Sequence, residues 1–155
     1  MAVETNPDWI LILDADEVFE NRAAWDLPSL AANPEAEAYS FRLYDMWDQN
    51  RYREDQYWNA HHHHRVFMAR HIPELVCRWR ETPQHCGRFP ANITELKVAQ
   101  SPLRIKHLGW MKASDRLAKY YRYREMDPGS RYGIEEQYLS ILDPRPRLLD
   151  WTEKT

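Results

Sequence analysis

Glycine is scarce in this chain of 155 residues: Gly87, Gly109, Gly129 and Gly133 are the whole complement. None precedes a Lys-Ser or Lys-Thr pair, and neither Gly-x-Gly-x-x-Gly nor Gly-x-Ser-x-Gly can be written. A P-loop, a dinucleotide-binding turn and a hydrolase nucleophile elbow are therefore excluded, because each needs glycine where backbone meets phosphate or turns sharply. Cysteine is equally sparse. Cys77 and Cys86 are not in a Cys-x-x-Cys spacing, so neither a zinc knuckle nor a disulfide framework is expected. There is no excess of one charge: 21 Lys and Arg face 24 Asp and Glu, for a net charge of −3. That balance offers no electrostatic footprint for nucleic acid or an anionic membrane. Long apolar runs are missing too. The clearest, Trp9 to Leu13, is cut off by Asp14, and mean hydropathy is −0.80. No membrane span and no leader is expected, and the expected address is cytoplasmic.

Aromatic residues are what the chain has in surplus, with 7 Trp and 9 Tyr. Rings fill cores, and they also make platforms for sugar faces. The length suits a single domain over residues 1–155, and the apolar content is enough for a core. The order of patterns predicts an α/β chain. Trp9 to Leu13 reads as a short strand buried on both faces, with acids at its carboxyl end. Leu27 to Ala32 reads as one or two helical turns closed by Asn33-Pro34. From Ala38 to Trp47 the period is near two, with Tyr39, Phe41, Leu43 and Asp45 on one side, so a strand is expected. Residues 48–55 are polar and read as a loop; His63 to Ala69 and Leu103 to His107 read as strands. Arg78 to Ala91, with Pro83, Gly87 and Pro90, reads as an irregular loop placed for function. Ser114 is a candidate N-cap for a helix to Met126, stopped by Asp127-Pro128-Gly129, and a second helix is expected over 134–142.

The strand end Asp14-Ala15-Asp16-Glu17 carries the clearest chemistry. Hard divalent ions take oxygen ligands, and Mg²⁺ or Mn²⁺ commonly takes one or two carboxylates together with substrate phosphates. Asp14 and Asp16 share a face if extended geometry persists through Ala15. The plainer alternative is a solvated strand end.

The segment Asn6-Pro7-Asp8-Trp9-Ile10-Leu11-Ile12-Leu13-Asp14-Ala15-Asp16-Glu17 resembles the DxD segment of family 2 glycosyltransferases, the inverting GT-A group. A second stretch, Arg104-Ile105-Lys106-His107-Leu108-Gly109-Trp110 with the following helix, is similar to the late His-x-Gly element of bacterial members. The resemblance implies a partial GT-A fold with a mixed sheet and C-terminal helices. It implies the C-terminal part of such a domain, without the nucleotide-binding half that precedes the DxD strand. The implied activity is inverting transfer of a sugar from a nucleotide-sugar, a UDP-sugar first among them, to a saccharide or other hydroxyl acceptor. Asp14, Asp16 and His107 would hold Mn²⁺ or Mg²⁺, and Asp14, Lys106 and Trp110 would contact substrate. An inverting transferase needs a base for the acceptor hydroxyl. Glu81, or else His85, in the loop Trp79 to Gly87 is the candidate; Cys86 stands where relatives often carry an acid after the histidine. A non-catalytic, acceptor-binding fragment of such an enzyme is the alternative, and a divalent-metal hydrolase is a third.

Two further clusters invite chemistry. In His61 to His64, strand alternation pairs His61 with His63 and His62 with His64, and nothing nearby has ligand spacing; a strand segment is expected, with acceptor contact, or a zinc pair completed by a third ligand from elsewhere, as the alternatives. Lys119 to Arg124 mixes bases and rings, and an amphipathic helix is the better reading than a single-strand nucleic-acid platform. Its cations could meet a diphosphate. Trp47, Trp58, Trp79 and Trp110 are candidates for an acceptor platform or, for most of them, for the core.

Overall fold

The computed structural model describes residues 5–82 and 87–154. The chain is a mixed α/β structure. The described residues form seven strands: β1 (Trp9–Leu11), β2 (Glu17–Phe19), β3 (Ala38–Asp45), β4 (Arg51–Arg53), β5 (His64–Arg70), β6 (Val98–His107) and β7 (Leu148–Asp150). Among the described residues three α-helices join them: α1 (Ala23–Ala32), α2 (Ala113–Met126) and α3 (Glu135–Ser140). Five strands make one sheet in the order β1-β5-β3-β6-β2, in which β3 and β6 run parallel and every other pair is antiparallel. Strands β4 and β7 form a separate antiparallel ribbon, tied to the end of β3 by a bridge between Met46 and Tyr52.

The centre of the sheet is β3, and its near-period-two sequence hides how deeply it is buried. Tyr39, Phe41 and Leu43 lie in the main core with Phe67, Met68, Leu103 and Ile105, under α1. Phe41 meets Phe19 edge-on at 5.1 Å and Phe67 at 6.2 Å. The opposite side of β3 is also covered, with Ser40, Tyr44 and Met46 buried. Pro28 sits inside α1 on an exposed position. Its missing N–H is therefore lost on the solvent side, and Ala23, Leu27 and Leu30 keep the inner face.

The first strand differs from expectation. Trp9 to Leu13 reads as a strand buried on both faces, yet β1 is an edge strand paired only to β5, and Leu11 is 42% exposed. A short apolar run looks the same when a single face is covered. Here Trp9 packs on Tyr39, donates its indole N–H to the Ala31 carbonyl at 3.0 Å and lies 4.6 Å beneath the Arg70 guanidinium. Among the described residues no strand pairs with the outer side of β1. Such an edge is a template for further pairing.

A second core joins the far end of β3 to the C-terminal helices. Trp47, Trp58 and Trp110 pack together with Ile141, and Tyr120 and Tyr123 of α2 lean on them. The core reading thus holds for three of the candidate platform tryptophans, while Trp79 is exposed. Helix α2 begins one residue before Ser114; Lys112 is its N-cap, so Ser114 lies inside the helix and caps nothing. The inward stripe of α2 is Arg116, Lys119, Tyr120 and Tyr123, whereas Leu117 and Tyr121 face outward. No residue of α2 is fully buried. Asp127 closes the helix. Its carboxylate accepts the N–H groups of Arg131, Tyr132 and Gly133 and the hydroxyl of Tyr138. Among the described residues, no helix is long and apolar enough to cross a membrane.

Candidate functional site

The site forms where β6 ends. His107 is the last residue of β6 and stands in register with Asp45 of β3 on one side and Glu17 of β2 on the other. The acidic segment arrives by a turn: Glu17 N–H returns to the Asp14 carbonyl at 3.0 Å, and Leu108 N–H donates to the Asp16 carbonyl at 2.7 Å. Extended geometry therefore stops before Asp14, and the two aspartates go to different partners. Asp14 accepts from Arg88 at 3.3 Å, and Arg88 also grips Glu17 at 2.6 Å. Asp16 turns inward, with Oδ2 lying 3.3 Å from His107 Nε2 and 3.3 Å from Lys119 Nζ.

Behind this pair stands Asp45. Its Oδ1 is 2.8 Å from His107 Nδ1 and also accepts the Trp110 indole N–H at 3.1 Å. A carboxylate on one ring nitrogen fixes the orientation of an imidazole and presents the other nitrogen outward. Burial opposes protonation of His107, but its Asp45 partner, aided by Asp16, holds the imidazole pKa above its ordinary value. Burial likewise opposes ionisation of Asp16, and His107 and Lys119 outweigh it, holding the carboxyl below its usual range. Glu17 goes the other way, pushed up chiefly by burial. Lys119 Nζ rests 4.3 Å over the Trp110 ring and 3.5 Å from His107 Nε2. The ammonium thus forms a near-equilateral triangle with Asp16 Oδ2 and His107 Nε2.

Gly109 makes this crowding possible. A Cβ there would fall less than 3.0 Å from Asp16 Oδ2, Lys119 Nζ and His107 Nε2 at once. The His-x-Gly spacing is therefore a steric requirement of the site, met by a residue with no side chain.

Of the residues singled out from sequence, Asp16, His107 and Trp110 come together. Asp14 is held by Arg88, and it does not join Asp16 and His107 in a set of three ligand atoms within 4.8 Å. Lys106 alternates to the other side of β6, where it pairs with Glu153 at 2.7 Å and lies 5.6 Å from the Trp151 ring centre. Glu81 is exposed, and His85 lies outside the described residues. Asp45 is the functional candidate that sequence reasoning passed over, while Lys119 and Gly109 entered it only as one of a helix's cations and as part of the His-x-Gly element. Asp45 was hidden among the apolar positions of β3 and Lys119 in a run of bases and rings; the one available signal was Gly109, two residues after His107.

Two openings flank the acidic turn. A cavity of about 580 Å³ is lined by Asp16, Gly109, Lys112, Asp115, Lys119 and Arg122. A larger groove of about 850 Å³ runs past Asp14, His64, Arg65, Arg80, Arg88 and Phe89. The acidic turn thus has a cation-rich recess on either side.

The histidine run behaves differently from its strand reading. Residues Ala60–His62 form a single 3₁₀ turn before β5 begins at His64. Burial pushes the His61 pKa down despite its bond to Glu54, whereas hydrogen bonds from His61 hold the Glu54 carboxyl below its usual range.

No family model matches the chain, and no solved structure does. It is similar to uncharacterized proteins of Mycobacterium tuberculosis and Mycobacterium bovis, each 27% identical across 89% of this chain. The chain spans about a third, 34%, of the length of these curated relatives.

Proposed function

We propose that this chain carries the donor-phosphate end of a metal-dependent glycosyltransferase of the GT-A type, acting with inversion on a nucleotide-sugar. The observation that supports it most is the cluster at the end of β6: Asp16 Oδ2 and His107 Nε2 lie 3.3 Å apart, with His107 held from behind by Asp45. The donor set fits the group. Two ligands on adjacent corners of an octahedral ion with bonds of about 2.1 Å are separated by about 3 Å. One carboxylate and one imidazole, with the other positions left to water and phosphate, is acceptable chemistry for Mn²⁺ and suits Mg²⁺, which prefers oxygen throughout, less well. Asp14 would join only after leaving Arg88.

Such an ion supplies charge neutralisation for the departing diphosphate. The chain's own residues do the rest. Asp45 keeps the imidazole turned so that Nε2 faces Asp16. Lys119, which neutralises Asp16, would be free to pair with phosphate oxygens if a bound cation took over that carboxylate, with Arg122 and Lys112 in the same recess. Trp110 excludes water from beneath. Acceptor binding falls to the groove past Arg65, Arg80 and Arg88; Glu81, next to Arg80 in the chain, and His85, outside the described residues, remain the proposed bases.

A second reading is a non-catalytic binding fragment. It is favoured by Lys119, which already balances Asp16, and by Arg88, which already balances Asp14. Calorimetric titration of UDP with and without Mn²⁺, on the native chain and on Asp16→Asn, separates the readings. Metal-dependent binding abolished by the substitution is expected; no binding by either protein would leave the fragment reading in front.

A further inference from the structure

The structure assigns a second, separate metal site to Glu54, His61 and His62, of the kind that takes zinc or a similar borderline transition ion. The 3₁₀ turn over Ala60–His62 sets two consecutive histidines side by side, which a strand would have turned to opposite faces. Glu54, the residue after β4, closes on both: its Oε2 is 2.8 Å from His61 Nε2 and 3.4 Å from His62 Nε2. The three ligand atoms all lie within 4.8 Å of one another, and this is the one such trio among the described residues.

The distances suit a tetrahedral ion. With metal–ligand bonds of about 2.0–2.1 Å, neighbouring ligand atoms sit about 3.3–3.4 Å apart. The His62 separation already has that value, and the His61 pair needs to open by about half an ångström. Both histidines offer Nε2, and two histidines with one carboxylate form a recognised zinc donor set that leaves a fourth position for water.

The surroundings are built rather than incidental. His61 is 4% exposed, stacked on Tyr44 with ring centres 4.9 Å apart and set against the edge of Tyr52 at 5.0 Å. The free carboxylate oxygen of Glu54, Oε1, accepts from Arg147 Nη1 at 3.0 Å, which leaves Oε2 aimed at the imidazoles. That is the outer-shell support ligating carboxylates commonly have. Arg147 immediately precedes β7, so an ion here would pin the β4–β7 ribbon to the turn that starts β5. His62 has a side chain 57% exposed and gives the ion its entry.

The test uses the full chain. Zn²⁺ is titrated in competition with a chromophoric chelator, and Co²⁺ is added in parallel, its visible absorption reporting tetrahedral geometry. One equivalent bound with a tetrahedral Co²⁺ spectrum is expected, together with a rise in melting temperature on adding Zn²⁺. His62→Ala, at an exposed position that need not disturb the fold, is expected to weaken binding at least 10-fold, and Glu54→Gln to do the same. His63→Ala/His64→Ala and Asp16→Asn are expected to bind like the native chain. Equal binding by His62→Ala, or loss in His63→Ala/His64→Ala, would overturn the assignment in favour of the histidine run as such. Loss in Asp16→Asn would place the ion at the other site.

Discussion

Gly109 offers the sharpest test of the geometry at the end of β6. In Gly109→Ala the new methyl must displace Asp16 Oδ2 and Lys119 Nζ by about an ångström each, and His107 Nε2 by less. All three are side-chain ends, so the backbone of the turn can stay. Overpacking costs about 1–3 kcal/mol, and flexible ends place this case near the lower limit. The Asp16–Lys119 pair that breaks is partly solvated, with side chains 39% and 16% exposed, so its loss adds at most about 1 kcal/mol. Melting should fall by about 2–4 °C per kcal/mol in a chain of this size. The decisive measurement is a double-mutant cycle. Lys119→Ala vacates the space the methyl needs, so Gly109→Ala/Lys119→Ala should lose less than the two single variants together, by about 0.5 kcal/mol or more. Strict additivity in urea unfolding would refute the close approach. A penalty beyond about 3 kcal/mol in Gly109→Ala alone would show that the methyl strikes something that cannot move.

Three further outcomes follow from the packing and charge. Phe41→Ala, at a position with no exposure between Phe19 and Phe67, should cost about 3–5 kcal/mol in chemical denaturation. Glu20 is fully enclosed and receives the backbone N–H and guanidinium of Arg104, at 2.6 Å for the shortest contact. Glu20→Ala leaves that guanidinium with the Thr152 carbonyl and the Trp151 face but no counter-charge and should cost about 3–5 kcal/mol, whereas a fall under 1 kcal/mol would mean that water reaches Arg104. Burial opposes ionisation of Asp127, but the Tyr132, Tyr138, Arg131 and Gly133 donors prevail and hold its pKa below the ordinary 3.8. A lowered pKa gives stability that is present above 3.8 and is lost as pH falls through the folded value. The difference in urea midpoint between the native chain and Asp127→Asn should therefore shrink on acidification from about pH 5 to about pH 2.

The longer elements could be read from the sequence, β6 and α1 only over their C-terminal halves, and of the three-residue strands β1 alone was found. Strands β3, β5 and β6 and helices α1, α2 and α3 are long or strongly bounded enough for period and stop signals to find them. Strands β2, β4 and β7 have three residues each, too few for any alternation to register, and β4 lies in the stretch that reads as a polar loop. The rank of the strands was inverted: the apolar run at Trp9 forms the edge, and the mixed run at Ala38 forms the centre, because strand position depends on partners distant in the chain. At the site, Asp16 and His107 were visible as types at a strand end. The partners that orient them, Asp45 and Lys119, arrive by the parallel register of β3 with β6 and by the approach of α2, which are tertiary facts. His61 and His62 were misjudged for a local reason: alternation was applied to residues that sit in a 3₁₀ turn.

Helix α2 carries Lys119 and buries no residue completely. It is held by the two half-covered rings of Tyr120 and Tyr123, and by Arg116 reaching the carbonyls of Trp47, Trp110 and Met111. Elements anchored so lightly open at a free energy well below that of the whole molecule. Amide exchange along α2 should accordingly outrun exchange in β3, by openings that leave the sheet intact. Mild heating would then withdraw the cation from beside Asp16 while the sheet persists, before the melting transition begins.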